Sequence, residues 1–301
     1  MSGLHRALYQ AGRKELAQIL EAARGAKPLE VGALRRVVAG MVDALAIGDG
    51  LQVLTLGVGD TILDFPAHMV NVAIFAVKIG QGLGYGRDEL RRLALAASLH
   101  DVGMLAVPQR ILEKPGVLSP DELTLVREHP KKGSRILQAL GPEYDWVATV
   151  ALQEHEREDG SGYPGGLKMD GIHEHAKIVG LADSYEALTR PRPYQKQRAP
   201  FDAMKEVTGR SRHLFAHNVL KGFIQGLSAF PVGSLVRLNS GEVARVVATH
   251  PALPLRPVVE VLTGSLGEQL RSPRRVDLTQ NSLLHVTESL TSDAVRDGEG
   301  A

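Results

Sequence analysis

The sequence predicts a mainly α-helical protein that ends in a small all-β domain. Up to about residue 228, leucine and alanine recur at helical spacing, with charged residues between them. After Pro231 the pattern changes to short apolar runs separated by turn residues, which is typical of β-hairpins. Hydrophobic residues make up 44% and charged residues 23% of the 301 residues, which are ordinary proportions for a folded globular chain.

Turn residues, prolines and capping signals mark the helix boundaries. Residues 4–47 predict two helices that are broken near residues 25–28, and residues 48–60 predict a turn-rich connector. Pro66 suits the first turn of the next helix, and residues 119–122 form a capping box that starts a later one. The other helices are expected from about 88 to 100, from the capping box to about 129, on to about 140, and over 143–156, 173–189 and 201–228.

The C-terminal part predicts a small sheet. Residues 235–238 and 243–247 flank a turn and predict a β-hairpin, residues 258–262 a third strand, and residues 275–278 a fourth. We therefore expect four regions along the chain. They are an N-terminal helical region over 1–58, a main helical domain over 59–229, a small β domain over 230–290 and a polar tail over 291–301.

The composition excludes several classes of protein. Lys plus Arg is 35 and Asp plus Glu is 34, so no basic excess points to a nucleic acid polymer as partner. The chain has no cysteine, so a metal would have to be held by histidine and carboxylate. The N-terminus lacks the apolar core of a signal peptide, and the most apolar stretch, residues 70–77, is too short to span a membrane. These observations predict a cytoplasmic protein with no membrane segment.

Six residues near predicted helix ends or on apolar helix faces are candidate metal ligands. They are His68, His100, Asp101, His129, His155 and Asp183. Each has a structural explanation when taken alone: His68 could be a hydrogen-bonded core residue and His129 a helix cap. Together they suggest a metal site, because helices that converge histidines and carboxylates build dinuclear centres. A carboxylate such as Asp101 can bridge two cations about 3.5–4 Å apart.

These residues and their surroundings resemble the HD-GYP family, bacterial phosphodiesterases of cyclic di-GMP that are a branch of the HD metal-dependent phosphohydrolases. The motifs follow the family's order over about residues 60–228. They are His68, His100-Asp101-Val102-Gly103, His129-Pro130, His155-Glu156-Arg157, Asp159-Gly160-Ser161-Gly162-Tyr163-Pro164, Asp183 and Arg192-Pro193-Tyr194, together with residues 111–116 and 182–189. The resemblance implies an HD-type helical bundle over 59–229, and the β domain is similar to a tail of some family members.

The resemblance also implies roles for individual residues. It implies two divalent metals, iron or manganese, and a hydroxide between them that attacks phosphorus. One metal would be held by His68, His100, Asp101 and Asp183, and the other by Asp101, His129 and His155, with His100 and Asp101 as the catalytic pair. Glu154, beside His155, is a further candidate ligand from its own chemistry. Gly162 and Tyr163 would line the substrate site or a partner-binding loop, and Arg192 would pair with phosphate or guanine. Lys196 is a further candidate substrate-binding residue. Glu156 and Arg157 are expected to orient the ligating histidine, and His173 and His175 are expected at the surface.

Three positions depart from the family's pattern. Met104 stands where the family usually has lysine, so a contact to phosphate is lost. Glu154 replaces the first of two adjacent histidines, and a carboxylate there favours a harder cation. Gln195 replaces a residue that is often basic, although Lys196 follows it. Asp64, four residues before His68, is a candidate ligand for an optional third metal, or an acidic residue favourable at a helix N-terminus.

Three functions are compatible with the sequence. The first is a phosphodiesterase that opens cyclic di-GMP to pGpG and takes it on to GMP. The second is a catalytically silent relative that binds cyclic di-GMP or docks a diguanylate cyclase domain, as the changes at Met104, Glu154 and Gln195 suggest. The third is an HD phosphohydrolase of another nucleotide, which gains nothing from the Gly-Tyr-Pro loop. The sequence leaves the oligomeric state open.

Overall fold

A computed structural model describes residues 3–55, 64–190, 198–250 and 253–290. The helices precede the strands, as the sequence predicts. The helices are α1 (Gly3–Arg24), α2 (Gly32–Ile47), α3 (Gly50–Thr55), α4 (Phe65–Gly82), α5 (Arg87–Leu99), α6 (Gln109–Leu112), α7 (Pro120–Arg127), α8 (His129–Gln138), α9 (Asp145–Gln153), α10 (Glu174–Thr189), α11 (Pro200–Thr208) and α12 (His217–Gly226). The strands are β1 (Leu235–Leu238), β2 (Val243–Ala248), β3 (Val258–Thr263), β4 (Gln269–Asp277) and β5 (Val286–Leu290).

Helix α4 is the centre of the helical bundle. Its residues from 67 to 77 are all buried, and it packs against α5, α10 and α12. A helix that is apolar on all sides has to be covered on all sides, which explains this central position. The approach of α12 is close enough to need glycine, because a Cβ atom at Gly226 would lie 1.8 Å from the Lys78 carbonyl oxygen.

The N-terminal helices pack on this bundle. Helix α1 contacts α2 and α4, and α2 contacts α5. Leu16 and Leu34 are completely or almost completely buried, and the Tyr9 hydroxyl donates a buried 2.8 Å hydrogen bond to Asn71 Oδ1 on α4. These contacts place α2 beside the first half of α5.

Local signals in the sequence account for several helix starts. Ser119 accepts a hydrogen bond from the Glu122 backbone N–H and Glu122 accepts one from the Ser119 N–H, so the predicted capping box is confirmed. The proline predicted for the first turn of α4 also occupies that turn. The prediction of a connector over 48–60 is wrong for its first half, because α3 occupies residues 50–55 with Leu51 buried.

The five strands form one antiparallel sheet in the order β4-β3-β2-β1-β5. Alternate residues of β1 and β2, such as Val236 and Val246, are buried while their neighbours are more exposed. The hairpin between them turns at Gly241, whose φ of +87° favours glycine. This confirms the mainly helical fold class with a small all-β region. The sequence missed β5, and the expected tail over 291–301 lies outside the described residues.

Among the helices that the structure describes, none is long and apolar enough to cross a membrane.

Candidate dinuclear metal centre

Five helices bring the predicted ligands together. One residue lies on the first turns of α4, two follow the last turn of α5, one begins α8, two follow the last turn of α9 and one lies on α10. These residues are His68, His100, Asp101, His129, Glu154, His155 and Asp183. Most of them stand at helix ends, where the backbone can change direction and aim several side chains at one point.

Asp101 lies at the centre of this group. Its Oδ2 is 3.5 Å from His68 Nε2 and 4.0 Å from His100 Nε2, and its Oδ1 is 3.3 Å from His129 Nε2. The two carboxylate oxygens therefore face different histidines. This is the arrangement that a bridging carboxylate needs.

The side chains separate into two groups around Asp101. His68, His100 and Asp101 offer ligand atoms within 4.8 Å of one another, and Asp183 Oδ1 adds a contact at 3.4 Å from His68 Nε2. His129, Glu154 and His155 form the second group, and their ligand atoms also lie within 4.8 Å of one another. Each group matches one of the two predicted metal positions.

The histidines are held so that Nε2 points inward. His100 Nδ1 donates to the Ala97 carbonyl at 2.8 Å, and His129 Nδ1 donates to the Val126 carbonyl at 2.7 Å. Both carbonyls belong to the last turn of a helix, where carbonyl oxygens remain available to side-chain donors. A bond at Nδ1 fixes the tautomer and leaves Nε2 free to bind a metal.

Glu186 plays the same part for His68, and the sequence reasoning missed it. Its Oε2 lies 2.9 Å from His68 Nδ1, and its Oε1 accepts a bond from Asn71 Nδ2 at 3.2 Å. Glu186 follows Asp183 by three residues on α10, so both face the same side of the helix. The spacing of three residues from Asp183 is the feature of the sequence that points to Glu186. A carboxylate behind a ligating histidine raises its basicity and orients its ring.

The buried atoms of the site lack partners that a cation would supply. Within the residues described, His100 Nε2 and both carboxylate oxygens of Glu154 are buried without a hydrogen-bond partner. A buried carboxylate without a hydrogen bond is costly, and a bound cation removes that cost. The donor set of imidazole and carboxylate, with no thiolate in the chain, suits iron, manganese or zinc. The residues therefore fit a pair of divalent metals.

The pKa values reflect how closely these charges are packed. Burial raises the pKa of Asp101, but the hydrogen bond to His68 and the charges of His100 and His129 outweigh it and lower the pKa far below its usual range. Burial lowers the pKa of His129, but the Glu154 carboxylate, 3.7 Å from its Nε2, and the charge of Asp101 outweigh it and raise the pKa to about 9. Burial raises the pKa of Glu154.

His155 has the opposite shift. Burial, followed by the charges of His129 and Arg157, holds the pKa of His155 well below its ordinary value. Its Nε2 lies 3.1 Å from His129 Nε2. Two imidazole nitrogens this close cannot both carry a proton without repulsion, whereas both can bind one cation.

The Gly-Tyr-Pro loop packs directly on the second group. The Tyr163 ring stacks on His155, with ring centroids 4.6 Å apart and an angle of 20° between the planes. The Arg127 guanidinium lies 5.3 Å from the centre of the Tyr163 ring. Gly162 packs against backbone, because a Cβ atom there would lie 2.4 Å from the His155 carbonyl oxygen and 2.5 Å from the Arg157 nitrogen. The glycine thus permits the loop to reach the metal ligand.

Glu156 holds the same loop through hydrogen bonds to its backbone. Its carboxylate is 4% exposed and accepts bonds from the Gly165 N–H at 2.6 Å and the Leu167 N–H at 2.8 Å. Arg157 donates to the carbonyls of Glu154 and Glu156, both at 2.9 Å. These two residues hold the chain on either side of His155, which agrees with the supporting role expected for them.

Glycine in the His-Asp-x-Gly motif also has a packing cause. A Cβ atom at Gly103 would lie 2.0 Å from the His129 carbonyl oxygen and 2.5 Å from the Gly133 nitrogen. Only glycine lets the turn after Asp101 lie against the start of α8. This contact brings Asp101 and His129 within reach of each other.

Not every predicted residue lies in the centre. Asp64 is the N-cap of α4, where its Oδ1 accepts from the Ala67 N–H at 3.0 Å and its Oδ2 pairs with Arg13. Both oxygens are thus engaged away from the two metal groups. Arg192, Gln195 and Lys196 lie outside the described residues.

A cleft of about 480 Å³ opens onto the metal groups. His68, Asp101 and His129 line its floor, and Tyr163 lines its wall. Two cations, Lys114 and Arg190, also line it; Lys114 Nζ lies 2.5 Å from Glu122 Oε2 and Arg190 pairs with Glu186 at 3.5 Å. The arrangement can hold a small anionic molecule against the metal groups.

Comparisons with known proteins identify the family. The HD domain family profile matches residues 60–219, and the profile described as a KOW domain associated with HD domain matches residues 235–297. The chain is 37% identical over 194 residues to a Pseudomonas aeruginosa protein named cyclic di-GMP phosphodiesterase PA4108, covering 64% of this chain and 47% of that one. It is 36% identical over 159 residues to a Thermotoga maritima protein named cyclic di-GMP phosphodiesterase, covering 52% and 43%.

A solved structure shares the fold. It is that of Bd1817, an HDGYP protein from Bdellovibrio bacteriovorus, which superposes with a TM-score of 0.58 at 19% identity, covering 72% of this chain and 69% of that one. The chain spans less than half the length of the two curated relatives, at 47% and 43%. The HD profile alone covers more than half of the chain. The chain therefore belongs to the HD domain family.

Proposed function

We propose that this chain is a metal-dependent phosphodiesterase that hydrolyses cyclic di-GMP to the linear dinucleotide pGpG and onward to GMP. The observation that carries the proposal is the position of Asp101 between two histidine groups on the floor of a cleft, 3.3 to 4.0 Å from three imidazole nitrogens. The names of the Pseudomonas and Thermotoga relatives support the substrate.

Two divalent metals complete the proposed site. His68, His100, Asp101 and Asp183 would hold one, and Asp101 would share the other with His129, Glu154 and His155. Iron or manganese suits this mixture of imidazole and carboxylate, and the added carboxylate of Glu154 favours the harder manganese. When bound, such a pair supplies an acidified water as nucleophile and neutralises charge on the phosphoryl oxygens. Asp64 would bind an optional third metal only by giving up its contacts with the Ala67 N–H and Arg13.

The residues of the cleft position the substrate. Water adds across one P–O3′ bond, which leaves a 5′-phosphate on one guanosine and a 3′-hydroxyl on the other. Lys114 and Arg190 supply positive charge beside the phosphate, where Met104 supplies none. Tyr163 lines the cleft while its ring stacks on His155. Arg192 and Lys196 are proposed as further phosphate or guanine contacts.

The principal alternative is a catalytically silent module. Such a protein would bind cyclic di-GMP, or dock a diguanylate cyclase domain, without turnover. The chain's own residues weigh against it, because the substitution at Glu154 replaces one metal ligand with another and does not remove a ligand. Since cyclic di-GMP is a bacterial second messenger, the proposal also places the protein in the cytoplasm.

Product analysis tests the proposal. The full chain is purified without oxygen in the presence of ferrous iron or manganese, incubated with cyclic di-GMP, and the products are separated by chromatography. Cyclic di-AMP and 3′3′-cGAMP run in parallel to define the base preference, and Asp101→Ala is the control. We expect pGpG and GMP from the wild type alone. Intact cyclic di-GMP in a protein that carries two metals would overturn the enzymatic proposal in favour of the silent module.

A further inference from the structure

A second cleft, of about 800 Å³, lies between α2, α5 and the start of α9. It shares no lining residue with the cleft over the metal groups. Its lining combines cationic, aromatic and apolar side chains. Val38 and Leu95 form the apolar part, and both are almost completely buried.

Four arginines dominate the charge of this cleft. Arg35 and Arg36 come from α2, and Arg91 and Arg92 come from α5. Each of the two helices thus contributes two consecutive arginines to the lining. Guanidinium groups are planar forks that bind phosphate oxygens through two parallel hydrogen bonds.

The carboxylates around the cleft do not neutralise these arginines. Asp88 and Glu143 line it, so four positive groups face two negative ones. Asp88 pairs with Arg91 at 3.2 Å, and its side chain is 95% exposed. Asp43, outside the lining, pairs more closely with Arg87 at 2.6 Å than with Arg91 at 3.6 Å. An anion with two or more negative charges would neutralise the excess positive charge of the lining.

Some hydrogen-bonding capacity in the cleft is unused. Among the described residues, Arg91 Nε is buried with no hydrogen-bond partner, and no carboxylate pairs with Arg35, Arg36 or Arg92. A buried donor without an acceptor is unfavourable, so it marks a place where a ligand gains a hydrogen bond.

Two aromatic residues stand beside the arginines. The Arg92 guanidinium lies 4.8 Å from the centre of the Trp146 ring, and Arg35 donates to the Tyr144 hydroxyl at 3.2 Å. Flat guanidinium and aromatic surfaces are the surfaces on which nucleic acid bases stack. The cleft therefore offers a phosphate subsite and a base subsite side by side.

We propose that this cleft binds a nucleoside phosphate that carries at least two negative charges. The arginine pairs bind the phosphates, the Arg92, Trp146 and Tyr144 surfaces contact the base, and the apolar floor excludes water. The volume of about 800 Å³ lies in the range of small-molecule sites and is ample for a single nucleotide. This site does not depend on the proposed phosphodiesterase activity.

The position of the cleft separates it from the metal centre. Helix α5 carries Arg92 near its middle and is followed by His100, eight residues after Arg92, which is about 12 Å along a helix. Helix α9 also separates the two sites, because Trp146 lies in its first turn and Glu154 follows its last residue. Loss of the metals should therefore leave nucleotide binding at the cleft intact.

The chain offers a direct probe, because Trp146 is its single tryptophan. Its fluorescence is titrated with GTP, ATP and GMP, and with guanosine as the uncharged comparison. We expect saturable quenching by at least one nucleotide and none by guanosine. The variants are the charge reversal of Arg35→Glu with Arg36→Glu, Arg24→Glu as a matched exposed control on α1, and Asp101→Ala for the metal centre.

The variants distinguish binding at this cleft from binding at the metal centre. The double variant should raise the dissociation constant about tenfold or more, while the Arg24 and Asp101 variants bind as the wild type does. Circular dichroism checks that the double variant is folded, and Arg36→Gln replaces it if it is not. No saturable quenching by any nucleotide up to about 1 mM, equal affinity in the double variant, or loss of binding in Asp101→Ala would each overturn the proposal.

Discussion

Gly162→Ala is expected to displace a metal ligand without touching the metal. A Cβ atom at this position would lie 2.4 Å from the His155 carbonyl oxygen, 2.5 Å from the Arg157 nitrogen and 2.5 Å from the Glu156 Cα. All three are backbone atoms, so no side chain can rotate away. Ordinary contact begins at 3.4 Å, so the loop and the chain at His155 must separate by about 1 Å.

The size of the effect follows from that displacement. Forcing a methyl group into a packed contact costs about 1–3 kcal/mol of the free energy of unfolding. For a chain of this size, each kcal/mol lowers Tm by about 2–4 °C. Moving the support of a ligating histidine weakens metal affinity by about 10–100-fold. We therefore expect a lower Tm and about one metal lost from each chain.

The assay compares two alanine variants of the same loop. Gly171→Ala is the matched control, because its Cβ atom would meet nothing closer than the Leu167 Cβ at 3.9 Å. Thermal unfolding and metal content by plasma mass spectrometry are measured for both variants and the wild type. If Gly162→Ala keeps the Tm and the metal content of Gly171→Ala, the packing argument is refuted.

Three further predictions concern the loop, the cleft and the ligands. Glu156→Gln leaves one of two backbone N–H groups without an acceptor, so the free energy of unfolding measured in urea should fall by about 1–3 kcal/mol; an unchanged midpoint would contradict this. Lys114→Met should raise KM for cyclic di-GMP about tenfold while the metal content stays at the wild-type value, and an unchanged KM would remove Lys114 from the substrate site. Because the pKa of His129 is about 9 without metal, a metal must displace its proton, so apparent metal affinity should fall about tenfold for each pH unit below 9. Competition with a chelator between pH 6 and pH 9 measures this, and a flat profile would argue against His129 as a ligand.

Much of the fold follows from local signals in the sequence. The capping box at Ser119 depends only on residues three apart, and the proline in the first turn of α4 has its dihedral angle fixed by its own ring. The ligands were recognisable because histidine and aspartate are costly at the buried ends of apolar helices unless something binds them. His100, which is 1% exposed at the end of α5, is the clearest example.

Features that depend on distant contacts could not be predicted. Strand β4 is longer than expected because Pro273 weakens the pattern, yet β4 is an edge strand where proline is tolerated. Strand β5 has one buried residue among its five and is defined by its pairing with β1. His175 was expected at the surface and is 3% exposed, because Nε2 lies 2.7 Å from Glu89 Oε1 on α5. Glu186 was missed because its role depends on a contact with His68 across 118 residues.

The most direct test of the dinuclear centre is the metal content of the wild type and of Asp101→Ala after anaerobic purification with iron or manganese. Asp101 faces both groups of ligands, so its removal should affect both metal positions. We predict about two metals in each wild-type chain and fewer than one in each Asp101→Ala chain, with both proteins folded. Two metals retained in Asp101→Ala would contradict the bridging role of Asp101.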